Sequence, residues 1–229
     1  MLVCCRNKRL KAVRSTLDDI IFFHQFMSHK KTLIIFTKYP EPGKTKTRLI
    51  PAVGSKGAAE LHRRMAENTV SKALSIQDTE DILIKIFFEG GNIQSMRDWL
   101  GKMDFERQKD GDLGEKMSDA FEKGFSGKAP KVVIIGTDCP NLTASLLLKA
   151  FAILDKHDLV VGPAVDGGYY LIGLKKRAGF LFQGISWGSE NVFRQTSRKA
   201  EEYGLKKAVL ETLGDVDRPG DLFMFDPQK

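Results

Sequence analysis

The sequence predicts an α/β domain in which a mostly parallel sheet is covered by helices on both faces. Two short runs, Leu33–Phe36 and Val132–Ile135, contain only apolar residues, whereas a strand with one exposed face would alternate apolar and polar residues. Segments with the apolar periodicity of helices separate these runs from further short strands. Strands buried on both faces and joined by helices indicate a parallel sheet in a single domain.

The elements follow one another from residue 32 onward. The predicted strands are Thr32–Thr37, Ile82–Phe88, Met103–Arg107, Val132–Ile135, Leu159–Gly162, Tyr169–Gly173 and Lys207–Leu210. The predicted helices are Gly57–Ile76, Ile93–Leu100, Gly114–Phe125, Ala144–Leu154 and Glu190–Glu202. Asp112, followed three residues later by Glu115, forms a capping-box pattern at the start of the third helix. Residues 38–53 are predicted to form a loop.

Length and composition fit one ordinary domain. The chain has 229 residues, of which 42% are hydrophobic, so it can bury a substantial core. It has no run of about 18 apolar residues, and we therefore expect no membrane span. Its three cysteines are too few and too badly spaced for a disulfide framework or a zinc site, which favours a reducing, cytoplasmic setting.

The formal net charge of +7 is spread along the chain. Residues 1–26 hold five basic and two acidic residues, a net of +3, which leaves +4 for the remainder. Because no recognition motif accompanies these charges, we expect no nucleic-acid partner. Met27 makes a plausible true start, so residues 1–26 are predicted to be a loosely attached or disordered extension without a catalytic role. Residues 27–229 then form the single domain.

A basic loop follows the first predicted strand. Lys44, Lys46 and Arg48 supply three cations within five residues, an arrangement that suits a diphosphate or triphosphate. A solvated basic loop remains the alternative. The loop is not a Walker A motif, because Lys38 stands where that motif requires a glycine.

Two acidic residues are candidate metal ligands. Asp138 comes directly after the apolar run Val132–Ile135, where a carboxylate can bind Mg²⁺ or Mn²⁺ that bridges phosphates. Asp217 could supply a second carboxylate to the same metal. The alternatives are a turn at Asp138 and a helix start at Asp217, with Pro219 in the first turn.

A third loop carries Asp166, Gly167, Gly168 and Tyr169. Paired glycines allow the backbone to approach a ligand closely, and a tyrosine can stack on a ring. A β-hairpin is the alternative, since Asp-Gly between strands is a strong turn signal, and both interpretations can hold together. The four histidines share no ligand spacing and are assigned no role.

Taken together, these segments resemble the bacterial glycosyltransferase-like proteins of the nucleotide-diphospho-sugar transferase superfamily, some of which are assigned to arsenosugar biosynthesis. The resemblance runs from about residue 32 to residue 223. The segments that carry it, in order, are 40–49, 112–117, 136–142, 162–174, 185–187 and 215–219.

The resemblance implies a Rossmann-like glycosyltransferase-A fold that binds a nucleotide at its amino-terminal half. It implies a metal on the diphosphate, held by Asp138 and joined by Asp217. The basic loop resembles the phosphate-gripping loop of molybdenum-cofactor and phospholactate guanylyltransferases. The chain departs from these relatives in two ways: the loop lacks their glycine-rich form, and Gly136 replaces the first acid of an Asp-X-Asp motif.

The leading hypothesis is glycosyl transfer from a nucleotide-sugar to a small-molecule acceptor. In this hypothesis the phosphates are bound by Lys44, Lys46 and Arg48. Asp166 would contact the sugar or acceptor and could act as the base. Two alternatives remain. A nucleotidyltransferase would join a nucleoside triphosphate to a phosphorylated acceptor and release pyrophosphate, whereas a non-catalytic protein would only bind the nucleotide.

Overall fold

The computed structural model describes residues 31–77 and 80–225. The predicted extension and the alternative start at Met27 lie outside the described residues. The strands are β1 Lys31–Lys38, β2 Ile82–Glu89, β3 Asp104–Arg107, β4 Val132–Ile135, β5 Leu159–Pro163, β6 Tyr169–Leu174 and β7 Lys207–Val209. The α-helices are α1 Ile50–Gln77, α2 Ile93–Leu100, α3 Leu113–Ser126, α4 Ala144–Ile153 and α5 Val192–Glu202. Short 3₁₀ helices span Thr47–Leu49, Gly179–Phe182 and Pro219–Met224.

The strands form one seven-stranded sheet in the order β3-β2-β1-β4-β6-β5-β7. β1 pairs in parallel with both β2 and β4, while β6 runs antiparallel to both of its neighbours. The predicted mostly parallel, mixed sheet is therefore confirmed. The hairpin predicted between β5 and β6 is confirmed as well, because these two strands pair directly across the Asp166 turn.

The core has two layers, one on each face of the sheet. Leu33 and Ile35 of β1 pack with residues of α1, α2 and α4, whereas Ile34 packs with residues of α3 and α5 on the other face. Each central strand is thus buried on both sides, which explains why its sequence shows no alternation of apolar and polar residues.

Helix α1 begins earlier than predicted. Residues 47–53, predicted as part of a loop, are helical, since Thr47–Leu49 forms a 3₁₀ turn and α1 begins at Ile50. Pro51 in the first turn is compatible with a helix start, because its missing N–H is not needed there. Gly54, with φ 72° and ψ 166°, interrupts the helix, so residues 50–53 form a short separate turn. The capping box at Asp112 and Glu115 is confirmed.

β1 is the place where the order of the strands reverses. The chain builds β2 and β3 on one side of β1, and then crosses to β4 on the other side. In open α/β sheets ligands bind beyond the carboxyl ends of the strands at such a position. Within the ranges that the structure describes, no helix is both long enough and apolar enough to cross a membrane.

Candidate active site

A cleft of about 570 Å³ opens beyond the carboxyl ends of β1 and β4. Its charged lining residues are five cations, Lys38, Lys44, Lys46, Arg48 and Lys116, and three acids, Glu89, Asp138 and Asp217. A phosphate-bearing ligand suits a cleft with this excess of positive charge.

The loop after β1 is held in shape by the buried hydroxyl of Thr45. This hydroxyl donates to the Tyr39 carbonyl at 3.1 Å and accepts from the Glu41 N–H at 3.2 Å. The Thr45 N–H donates to the Glu41 carbonyl at 3.2 Å, which closes the turn. The loop therefore presents the residues that follow Thr45 in a fixed direction.

Lys46 has a left-handed backbone conformation, with φ 51° and ψ 46°. Non-glycine residues adopt this conformation uncommonly, and it often marks a functional position. The side chain of Lys46 is 5% exposed, and its Nζ lies 2.9 Å from Asp138 Oδ2 and 3.6 Å from Asp217 Oδ1. The ammonium group thus contacts both acids that the sequence marks as metal ligands.

A backbone contact holds these two acids together. The Val216 N–H donates to the Asp138 carbonyl at 2.9 Å, which places Asp217 beside the end of β4. The helix start predicted as the alternative here is confirmed, since a 3₁₀ helix begins at Pro219 with Asp221 in its first turn. Asp217 does not cap it, because the cap position is Arg218 and the capping carboxylate is Asp221. The Asp217 carboxylate is left to contact Lys46 and Arg48.

Arg48 reaches the same cluster from the rim of the cleft. Its Nη1 donates to Asp217 Oδ2, and this hydrogen bond raises the pKa of the Arg48 guanidinium above its ordinary value. The side chain is 67% exposed, so its remaining donors face solvent at the mouth of the cleft. A guanidinium placed in this way can bind phosphate oxygens.

Asp138 remains a carboxylate. Burial by itself would raise the pKa of Asp138, but the charge of Lys46 and the neighbouring His62 outweigh it and hold the pKa well below the ordinary range. Oδ2 contacts Lys46, whereas Oδ1 is buried and accepts no hydrogen bond from the described residues. An acceptor of this kind favours a cationic partner.

His62 lines the cleft, although the sequence analysis assigned it no role. Its side chain is 5% exposed, and Nδ1 lies 3.7 Å from Asp138 Oδ1. Its Nε2 lies 3.0 Å from the Lys38 carbonyl, to which it donates because a carbonyl oxygen only accepts. His62 lies on the buried face of α1, where a polar side chain among apolar residues was the available signal.

Of the remaining predicted residues in the basic loop and the third loop, some line the cleft and others lie beside it. Lys44 lines the cleft, but its ammonium pairs with Glu41 at 2.8 Å and is largely exposed. Tyr169 also lines the cleft, with its hydroxyl against the Met117 sulfur at 3.7 Å, and burial raises the pKa of that hydroxyl.

Asp166, Gly167 and Gly168 form the turn between β5 and β6. Asp166 Oδ1 accepts from the Gly168 N–H at 2.8 Å, so this carboxylate stabilises the turn. The charge of Asp166 nevertheless adds to the rise in the pKa of Arg48. Gly167 has φ +87°, and a Cβ added there would lie 2.2 Å from the Glu190 carbonyl oxygen. Close packing inside the chain therefore accounts for this glycine.

Gly167→Ala should lower the free energy of unfolding by roughly 2–4 kcal/mol, because it adds a backbone clash to a left-handed conformation. Gly184→Ala is the matched control, since Gly184 has φ +63° and a Cβ added there would meet no atom within 4 Å. The control should cost about 1–2 kcal/mol for the conformation alone. Urea denaturation of both variants measures the difference. Equal losses would contradict the clash with Glu190.

A second charged group lies at the end of β2. Glu89 contacts Lys116 at 2.9 Å and Lys38 at 3.4 Å. The hydrogen bond from Lys116, against the opposing effect of burial, lowers the pKa of Glu89, and Lys38 lowers it further. The cleft is thus bordered by two clusters of paired charges, one beyond β4 and one beyond β2.

Glu89→Gln should lower stability at pH 7 by an amount that shrinks in acid. A carboxylate whose pKa is lowered by folding stabilises the protein above its unfolded pKa, about 4.3, and this contribution is lost as the pH falls through the folded value. Unfolding free energies at pH 7, 5 and 3 measure the effect, with Glu202→Gln on the surface of α5 as control. A difference in unfolding free energy between the wild type and Glu89→Gln that stays constant from pH 7 to pH 3 would refute this prediction.

Residues 69–189 match a protein family described as an uncharacterized protein conserved in bacteria, DUF2064. A crystal structure from Desulfovibrio desulfuricans G20, described as a "putative nucleotide-diphospho-sugar transferase", is 35% identical, with a TM-score of 0.78 and 82% of each chain covered. The chain belongs to the DUF2064 family. The matched segment includes Asp138 but excludes the basic loop and Asp217, so the family match covers only part of the candidate site.

More distant structures share the fold of this DUF2064 protein. CMP:2-keto-3-deoxy-manno-octonic acid synthetase complexed with CTP has a TM-score of 0.54 at 10% identity and covers 85% of this chain and 95% of its own. A Mycobacterium tuberculosis H37Rv protein in complex with manganese has a TM-score of 0.50 at 14% identity, with 85% and 97% covered. No curated protein sequence matches the chain. The predicted fold of the nucleotide-diphospho-sugar transferases is confirmed.

Proposed function

We propose that this DUF2064 protein is a metal-dependent transferase that moves a sugar from a nucleotide-sugar to a small-molecule acceptor. One observation carries the proposal: Lys46, Arg48, Asp138 and Asp217 converge in one cleft at the switch point of the sheet. Cations that can grip phosphates, beside carboxylates that can hold a metal, form a site for a diphosphate.

The acids fit Mg²⁺ or Mn²⁺. These ions take oxygen ligands and are usually bound through one or two carboxylates together with substrate phosphates. Within the described ranges no group of three or more His, Cys, Asp or Glu residues could hold a metal, so Asp138 and Asp217 would bind it together with the substrate. The ion would neutralise negative charge on the departing nucleoside diphosphate.

The residues of the cleft and of the turn between β5 and β6 have separate tasks in this proposal. Lys46 and Arg48 bind the diphosphate and stabilise the charge that develops as the glycosidic bond breaks. Lys44 attracts the nucleotide from the rim, and Tyr169 forms the wall. Asp166 contacts the sugar or acceptor, while Gly167 and Gly168 hold the turn that carries it. The activity lies within the single domain predicted for residues 27–229.

Nucleotidyl transfer is the second candidate. The five cations that line the cleft favour it, because a triphosphate carries more charge than the diphosphate of a nucleotide-sugar. In this reaction the acceptor's phosphate would displace pyrophosphate from the nucleoside triphosphate. The same residues would bind the triphosphate.

A thermal-shift screen of nucleoside triphosphates and nucleotide-sugars, with and without Mg²⁺ or Mn²⁺, should find a ligand that raises the melting temperature. Product analysis with that ligand then separates the reactions. Release of a nucleoside diphosphate supports glycosyl transfer, and release of pyrophosphate supports nucleotidyl transfer. Binding without turnover across a broad acceptor panel would mean a nucleotide-binding protein, and no binding at all would refute the proposal.

A further inference from the structure

The ammonium of Lys46 lies where the two candidate metal ligands meet. Its Nζ contacts Asp138 Oδ2 at 2.9 Å and Asp217 Oδ1 at 3.6 Å, and the side chain is almost fully buried. The left-handed backbone at Lys46 directs the side chain inward while Arg48, two residues on, stays at the rim. The position between the carboxylates is therefore filled by part of the chain itself.

The charges of this cluster already balance. Lys46 and Arg48 carry two positive charges, and Asp138 and Asp217 carry two negative charges. His62 approaches Asp138 from the side of α1, with Nδ1 at 3.7 Å from Oδ1. A divalent cation that entered with Lys46 in place would meet a neutral cluster and an ammonium within a few ångströms, so repulsion would oppose its binding.

We propose that Lys46 takes the place of the divalent cation in the free protein, so that metal and nucleotide bind as a coupled pair. The inference rests on the proposed function for the identity of the second ligand. Phosphate oxygens offer the ammonium of Lys46 new partners, and its departure leaves Asp138 and Asp217 with a net negative charge that attracts Mg²⁺ or Mn²⁺. The free protein binds the metal weakly, and the nucleotide completes the site.

Coupling of this kind is reciprocal. If the nucleotide tightens metal binding by some factor, the metal tightens nucleotide binding by the same factor. A neutral residue at position 46 removes the competitor, so metal binding becomes tighter without the nucleotide and the coupling between the two ligands weakens. A lysine that only bound phosphate would leave the affinity for metal alone unchanged.

The first experiment uses Mn²⁺ alone, with free Mn²⁺ measured by electron paramagnetic resonance. Lys46→Met should bind Mn²⁺ on the order of tenfold or more tightly than the wild type, because the nearest positive charge is gone. Lys149→Met, on α4 and outside the cleft, removes a lysine that pairs with Glu211 and should bind Mn²⁺ as the wild type does. Adding Asp138→Asn to Lys46→Met should remove this gain in Mn²⁺ affinity. Equal Mn²⁺ affinity in the wild type and Lys46→Met would overturn the inference.

The change in melting temperature on adding Mn²⁺ provides a second test, which applies even if Lys46→Met is less stable than the wild type. Mn²⁺ should raise the melting temperature of Lys46→Met, and of Lys46→Gln, by more than it raises that of the wild type, because it binds the site that the ammonium vacated. Equal rises would contradict the inference even for weakened variants.

The second ligand is then added. With UDP-glucose or a ribonucleoside triphosphate, the wild type should bind Mn²⁺ on the order of tenfold more tightly, after correction for Mn²⁺ held by free nucleotide, and Lys46→Met should gain less. Equal gains would overturn the coupling. If no nucleotide binds, the proposed function fails, whereas the comparison with Mn²⁺ alone still decides whether Lys46 competes with the metal.

Discussion

Asp138→Asn should lower kcat/KM by on the order of 10²-fold or more, because it removes the charge on which the proposed site is built. The asparagine keeps the shape of the side chain but cannot balance the charge of Lys46, whose side chain is 5% exposed. It also leaves the candidate metal without one of its two carboxylates. Loss of turnover should therefore be accompanied by loss of the stabilisation that Mn²⁺ and nucleotide together provide.

The measurement uses the donor found in the thermal-shift screen, with product formation followed at saturating metal. Glu202→Gln is the control, because it also removes one carboxylate but on the surface of α5, where Glu202 pairs with Arg198. The control should keep normal turnover. Circular dichroism checks that Asp138→Asn is folded, and near-normal turnover in a folded Asp138→Asn protein would end the proposal for this site.

Arg48→Gln should lower kcat by about 10²-fold with little change in stability. The Arg48 side chain is 67% exposed, so its removal leaves no cavity, but its donors at the mouth of the cleft would no longer bind the phosphates. Arg48→Lys should recover only part of the activity, because a lysine keeps the charge and loses the two-pronged geometry.

Arg198→Gln is the matched control for Arg48, since Arg198 is 80% exposed and pairs with a carboxylate outside the cleft. The three variants are compared by steady-state kinetics and by urea unfolding. A fall in activity that tracks a loss of stability, or equal activities for Arg48→Gln and Arg198→Gln, would show that Arg48 has no part in the reaction.

Much of the fold could be predicted because the strands are buried on both faces. Val132–Ile135 was predicted with its bounds as the structure has them, since a run of four apolar residues before a glycine allows few other structures. The start of α3 was predicted from its cap. The beginning of α1 was missed because Pro51 and Gly54, which read as loop residues, occupy a helix start and a break between two helical turns.

The candidate site was predicted in part. Asp138 and the basic loop could be linked to one sheet edge, since both follow central strands. The position of Asp217 could not be derived, because it depends on contacts between residues far apart in sequence, among them the burial of Val216 and its backbone hydrogen bond to Asp138. His62 was missed because a histidine at helical spacing on an apolar face more often belongs to the core.

The left-handed backbone conformation of Lys46 also bears on which residues selection would favour at this position. An L-residue in the left-handed region costs roughly 1–2 kcal/mol, and glycine or asparagine relieves much of that cost. Selection for stability alone would therefore favour glycine or asparagine at position 46, and a functional benefit from the ammonium would oppose that replacement. A homologue with glycine at this position would lack the ammonium that contacts Asp138 and Asp217, so we expect it to lack the phosphate site proposed here.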